Sequence, residues 1–204
     1  MRTMFLLVLC FLTVCCPKIY GELKSGDLVF VGEGKGEFSK AITDSTGKDA
    51  DSIKFVHVGI IEIKEAGEIF VIEASPENGV RTVELDKFLE NSPCVVYKRL
   101  LVDFPVDNML KRAKSHIDEP YDWWYLPDNG KMYCSELVYD SYLEENGNHI
   151  FEAQPMNFRA ADGSMPDFWI RLFEQLGEDI PEGVDGTNPN ELSKYPLLLT
   201  LPSQ

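Results

Sequence analysis

Two patterns of apolar residues run along this 204-residue chain, and the change from one to the other divides it. In the first half, apolar residues gather in short runs of strand length, at 27–31, 55–63, 68–75, 80–85 and 94–100. Val, Ile, Phe and Tyr are frequent in these runs, so each is predicted to be a strand. The breaks between them are brief. Glu65-Ala66-Gly67 predicts a three-residue hairpin loop with Gly67 in the left-handed position, and Asn78-Gly79 predicts a second tight turn. Connections this short make an antiparallel sheet. In the second half the apolar spacing becomes that of a helix. Segments 107–116, 134–146 and 166–176 are predicted helices, the first ended by Pro120, the second stopped by Gly147 and the third by Gly177. Residues 86–90 read as a short helix capped by Asp86. Segment 32–52, rich in Gly, Asp, Ser and Thr, reads as a loop with one helical turn around 38–42, and 195–201 as a last strand or a docked extended segment. Strands first and helices afterwards predict an α+β fold.

Residues 1–21 follow neither pattern. Arg2, an apolar stretch from Met4 to Val14 and a small residue at Gly21 read as a secretory signal, too short to span a bilayer. Cys15 and Cys16 follow the apolar stretch, so the expected product is exported, periplasmic or extracellular, with a lipid anchor on one of those cysteines as an alternative. Residues 22–204 are expected to form a single domain. The net charge of −15 argues against nucleic acid and anionic membranes as partners. Contact with a membrane is expected only through an N-terminal lipid. The charge suits a neutral or cationic substrate, or confers solubility alone. Cys94 and Cys134 are the two cysteines beyond the signal, and in an exported chain two cysteines can pair as a disulfide. No cysteine pair has zinc-ligand spacing, and neither a metal nor a cofactor is expected. The acidic residues Asp44, Asp49 and Asp51 lack the alternating spacing of a calcium loop.

Cys134 carries the first candidate chemistry. It opens a predicted helix, where the positive end of the helix dipole favours a thiolate, the nucleophilic form. Leu137, Val138 and Ser141 share its helix face, so the thiol is expected to point inward to the sheet. A small buried core cysteine is the alternative from the helix alone. His57 lies within Phe-Val-His-Val-Gly-Ile-Ile, on a strand face expected to include Phe55, Gly59, Ile61 and Ile63. Gly59 is expected to leave open space beside the ring. With a three-residue loop at Gly67, Ile63 faces Ile69, Ile61 faces Val71 and Gly59 faces Glu73, so Glu73 lies diagonally beside His57 on the same face. A two-residue loop would move Glu73 to the other face. Cysteine as nucleophile, imidazole as base and a carboxylate orienting the ring form a nucleophilic triad. His116, beside a helix end, and His149, in a polar turn, need no catalytic role.

These residues resemble a known group. His57-Val58-Gly59-Ile60, Glu73 and Tyr133-Cys134-Ser135-Glu136-Leu137-Val138 are similar to the circularly permuted NlpC-type, papain-like cysteine hydrolases of the YiiX/YebB-like branch. The opening strand Gly26-Asp27-Leu28-Val29-Phe30 and the late Gly186-Thr187-Asn188-Pro189 extend the likeness over residues 26–199. The order His, acid, Cys is the permuted one. The resemblance implies a small, barrel-like antiparallel sheet packed against the nucleophile helix. It also implies hydrolysis of an amide bond, in a peptide or peptidoglycan fragment, through an acyl-enzyme. Tyr121 and Asp122 match a Tyr-Asp pair of such proteins, which implies a role for Tyr121 at the oxyanion or substrate pocket; packing of Tyr121 with Trp123 and Trp124 is the alternative. Two other readings stay open: a lipid-directed thioesterase or acyltransferase with the same triad, and a non-catalytic module that binds cell-wall peptide or lipid.

Overall fold

The computed structural model describes residues 23–32, 34–46, 53–90, 92 and 94–202. The expected signal, the lipidation candidates Cys15 and Cys16, and Asp49 and Asp51 lie outside the described residues. The β-branched runs pair into an antiparallel six-stranded sheet: β1 (Leu28–Gly32), β2 (Phe55–Ile63), β3 (Ile69–Ser75), β4 (Gly79–Glu84), β5 (Cys94–Leu100) and, far downstream, β8 (Leu198–Thr200). Their spatial order is β4-β3-β2-β1-β5-β8, so the sheet is open, with β4 and β8 at its edges. The helices are α1 (Glu37–Thr46), α2 (Leu85–Phe88), α3 (Val106–Ser115), α4 (Cys134–Ser141), α5 (Asp167–Leu176) and α6 (Pro189–Ser193). The two-residue strands β6 (Gln154–Pro155) and β7 (Asp185–Gly186) form a separate ladder. This is the expected α+β architecture, with an antiparallel sheet against the helix that carries Cys134.

Both faces of the central strands are covered, which explains why β2 reads as almost continuously apolar. On one face, Leu28, Phe30, Val58, Ile60, Ile72 and Ala74 pack with Leu137, Val138 and Tyr142. On the other, Val29, Val31, Ile61, Val71 and Val83 pack with Leu85 and Phe88. The β2–β3 register is the one the Gly67 loop dictates: Ile63 pairs with Ile69 and Ile61 with Val71, with Gly67 at φ 83°. Asp27 enters β1 buried, held by Arg99 with one nitrogen on each carboxylate oxygen (Nε to Oδ1 and Nη2 to Oδ2, both 2.7 Å).

Four helical segments differ from the sequence reading. The helix expected over 134–146 stops at Ser141. Tyr142 is fully buried and donates its hydroxyl to the Gly26 carbonyl at 2.9 Å, while Ser141 turns back to the Leu137 carbonyl. The chain then returns through a tight turn, where Gly147 (φ 88°) serves the turn rather than a helix cap. The single turn expected around 38–42 is the ten-residue α1, whose Ala41 and Ser45 are buried. The short helix expected at 86–90 starts at Leu85, with Glu84 rather than Asp86 at its N-cap. Finally, α6 lies in a segment to which the sequence reading assigned no element; Asn188 caps it by accepting the Glu191 N–H at 2.9 Å, and Pro189 occupies its first turn.

Candidate active site

Three elements bring the predicted residues together. The Gly67 hairpin places Glu73 beside His57, with His57 Nε2 and Glu73 Oε2 2.6 Å apart. Glu73 is 3% exposed. The α4 N-terminus brings the Cys134 thiol within hydrogen-bonding reach of the same ring. Since Nε2 faces the carboxylate, Nδ1 is the nitrogen left for sulfur. Cys134 is buried but unpaired, as is the half-buried Cys94, so the disulfide alternative does not hold in this structure. Phe88 of α2 stacks on the His57 ring with centroids 5.6 Å apart.

Two details of β2 depart from expectation. The β1–β2 ladder pairs Val31 with His57 and then Gly32 with Phe55, so one residue is extra at that point. This bulge, of the kind that re-aims side chains next to a site, turns Phe55 away from the face expected for it and into the core of Val58 and Ile60. Gly59 does not open substrate space either. A Cβ there would meet Val71 Cγ1 at 2.3 Å and Phe88 Cε2 at 3.5 Å. The glycine is required by close packing behind the histidine.

The electrostatics follow from these contacts. Burial of His57 opposes its charged form, but hydrogen bonds to Cys134 and Glu73, and their charges, prevail and raise its pKa to about 10. Burial likewise opposes the charge on Glu73, but His57 and then Arg81 hold its carboxyl below the ordinary carboxylate value. Arg81 sits directly opposite Glu73 in the β3–β4 ladder and donates Nε (2.8 Å) and Nη2 (2.7 Å) to Glu73 Oε1. Sequence reading missed Arg81, although an opposite charge across a predicted hairpin was the available signal.

A small cavity of about 60 Å³, partly open to solvent, lies beside Cys134. Tyr121, Tyr125, Tyr133, Phe158 and Trp169 give it aromatic walls, Met156 and Val56 add apolar surface, and none of its lining residues is charged. Tyr121 lines this cavity and also packs edge-on against Trp123, with ring centroids 4.9 Å apart. Burial, with the nearby Tyr125 and Cys134, raises its pKa well above that of an ordinary tyrosine, so it remains a phenolic donor. Asp122 is fully buried, but it accepts the Trp124 and Leu126 N–H groups, each at 2.9 Å, and thereby fixes the aromatic loop rather than lining the cavity.

The far wall comes from segments that no local pattern identified. Ser45 of α1 donates to the Phe158 carbonyl (2.8 Å) and accepts from Trp169 Nε1 (3.0 Å). Asn190 of α6 imitates a strand neighbour, accepting the Phe55 N–H (2.7 Å) and donating to the Phe55 carbonyl (2.8 Å) at the start of the His57 strand. Tyr133 accepts the Thr187 N–H at 3.0 Å, tying the late segment to the nucleophile helix. Outside the site, His116 caps α3 and bridges Glu119 (3.0 Å) to Asp140 (2.9 Å), a structural use consistent with its helix-end position. His149 is exposed and stacks on Tyr139.

Glu136, two residues after Cys134, accepts the Tyr133 N–H at 3.3 Å, one half of a capping box. Burial, reinforced by Asp122, Asp140 and Asp128, raises its carboxyl from 4.5 to about 8. The folded state therefore binds this proton more tightly than the unfolded chain. The associated stability is full below about 4.5 and is lost as the pH rises through about 8. Glu136→Gln keeps an acceptor for Tyr133 and removes the titration. Its melting temperature relative to the parent protein is expected to improve steadily from pH 5 to pH 9, which thermal denaturation across that range checks.

A permuted order of His, acid and Cys on this fold defines a papain-like hydrolase in which the nucleophile helix follows the base-bearing strand. The family model described as permuted papain-like amidase enzyme, YaeF/YiiX, C92 family matches residues 22–201, and the chain belongs to that family. It is similar to the uncharacterized protein YiiX of Escherichia coli K12, with 26% identity over 195 residues covering 93% of this chain and 91% of the relative. The fold is also that of a crystal structure of the metalloprotein YiiX from Escherichia coli O157:H7, with a TM-score of 0.70 at 23% identity over 89% of this chain and 97% of the other.

Proposed function

We propose that the protein is a cysteine amidase that cleaves an amide bond in a peptide or cell-wall fragment through Cys134, His57 and Glu73. The observation that carries this reading is the joint contact of one half-buried histidine with a helix-opening thiol and a 2.6 Å carboxylate. Proton transfer from Cys134 to His57 gives a thiolate–imidazolium pair, which Glu73 supports from the far side of the ring. Sulfur attacks the carbonyl carbon. The oxyanion is stabilised by main-chain N–H groups of the first turn of α4, which lack helical partners, and by the Tyr121 hydroxyl. His57 returns the proton to the leaving amine nitrogen as the C–N bond breaks. It then takes a proton from water, whose oxygen attacks the thioester and releases a carboxylic acid and the free thiol.

The cavity favours a particular acyl portion. Its lining carries aromatic rings and hydroxyl and amide groups but no charged side chain to neutralise a carboxylate or ammonium group, so an uncharged acyl group fits it better than the charged side chains of a cell-wall peptide. The same observation supports the second reading, hydrolysis or transfer of acyl esters and thioesters by the same triad. The metal of the crystallographic neighbour is not carried over. Among the described residues no three His, Cys, Asp or Glu side chains are grouped to hold an ion, and no step is routed through one. The test is a panel of amides, esters and thioesters with uncharged or charged acyl groups, supplemented with peptidoglycan fragments. Cys134-dependent hydrolysis with preference for uncharged acyl amides is expected. Turnover of esters but not amides would select the second reading. Binding without turnover in any class would make the protein a binding module.

A further inference from the structure

We propose that Arg81 is a positioning residue for this chemistry, one that grips a single oxygen of Glu73 so that the other is presented to His57. The inference rests on the proposed triad. Within the same protein, Arg99 shows the ordinary arrangement, in which the fork divides its donors between both oxygens of Asp27. Arg81 does otherwise: Nε and Nη2 both converge on Glu73 Oε1, at 2.8 and 2.7 Å. Oε2 is thereby left to His57 Nε2 at 2.6 Å. An arginine serving only to join β3 to β4 would gain from both oxygens. Here the carboxylate is buried and its rotation about the terminal bond is fixed, so one oxygen stays aimed at the ring.

Arg81 also sets the charge seen by the histidine. Through one carboxylate it places a second cation beside the imidazolium, which restrains the hold of His57 on its proton and keeps Glu73 ionised. Removing that cation acts in a defined direction on every titrating member. Glu73 and the thiol become harder to ionise, so the acid limb of Cys134 reactivity moves to higher pH. His57 becomes harder to deprotonate, so the alkaline limb of turnover, where the imidazolium must protonate the leaving group, moves to higher pH as well. Loss of rigidity alone would lower reactivity equally at all pH values.

The experiment is the pH profile of Cys134 alkylation by iodoacetamide, read by mass spectrometry to separate Cys134 from Cys94, in the parent protein, Arg81→Ala and Arg81→Lys. Arg81→Ala is expected to have its acid limb displaced upward by about one unit, which slows alkylation about tenfold at pH values below that limb, with the alkaline limb of turnover displaced upward as well. Arg81→Lys restores the charge but not the fork, so its limbs return toward those of the parent. When a hydrolysed substrate is used, kcat should still fall while KM changes little. Unshifted limbs in Arg81→Ala, or a lysine variant indistinguishable from alanine in its limbs, overturn the proposal. Parent protein whose Cys134 reacts no faster at neutral pH than a free thiol overturns instead the triad on which it rests. Should the alanine variant fail to fold, Arg81→Gln, which keeps hydrogen-bond donors but removes the charge, takes its place, and unshifted limbs in that variant overturn the proposal in the same way.

Discussion

Cys134→Ala is expected to reduce turnover by on the order of a thousandfold or more, with the fold intact, because it removes the atom that forms the acyl-enzyme. The methyl group of alanine occupies the thiol's place at the start of α4, so the helix and its packing through Leu137 and Val138 are retained. Melting temperature should change little, and binding of an uncharged acyl ligand in the adjoining cavity should survive. Labelling by a thiol-reactive probe should vanish at this position in the alanine variant and slow markedly in His57→Ala, which removes the base while leaving sulfur in place. Undiminished hydrolysis by Cys134→Ala, or recovery of a Cys94–Cys134 disulfide from native protein, would remove the nucleophile assignment.

The largest expected effect on stability lies at Gly79. This residue has φ +64°, and a Cβ there would lie 2.2 Å from the Glu119 carbonyl oxygen. The contact is held from both sides: Val80 donates its N–H to Glu119 (2.9 Å), and Asp118 donates to the Val80 carbonyl (3.0 Å). Gly79→Ala therefore adds the cost of a left-handed alanine to that of displacing backbone, together about 3 kcal/mol. The effect should also reach the site, since the displaced chain continues through Pro120 into Tyr121. Urea denaturation is expected to show a lower midpoint with an unchanged slope. Activity should fall even where the variant is fully folded. A midpoint equal to that of the parent would show that the Glu119 loop yields freely and that β4 does not brace the aromatic segment.

The contrast between what the chain reveals and what it hides has a physical basis. The relation of His57 to Glu73 was legible because a glycine at a left-handed position fixes hairpin length, and hairpin length fixes which side chains share a face. The direction of α4 was legible from Leu137 and Val138. Its end was not, because Tyr142 leaves the helix for a tertiary reason, the Gly26 carbonyl in the core. The space expected at Gly59 was misjudged because a missing side chain looks alike whether its room is taken by a ligand or by Val71. Phe55 was assigned to the wrong face because strict alternation cannot anticipate a bulge. The cavity was the least legible feature. Its walls join α1, the aromatic loop, residues 156–158, α5 and residues 187–189, and the polar groups that lock them, Ser45 and Asn190, pair over more than a hundred residues of sequence.

The order in which the chain contributes its working parts also bears on when the thiol becomes dangerous. Base and carboxylate belong to one hairpin, 16 residues apart, and such local contacts form early as a polypeptide leaves the ribosome. The sulfur arrives much later, and the segment that closes the cavity around it, through Thr187 and Asn190, comes later still. A half-made chain thus carries an imidazole with nothing to activate, and later an unsheltered cysteine of ordinary reactivity. On the proposed triad, attack on a carbonyl is expected only once the chain through α6 has been made, so the permuted order delays the reactive thiol relative to its base.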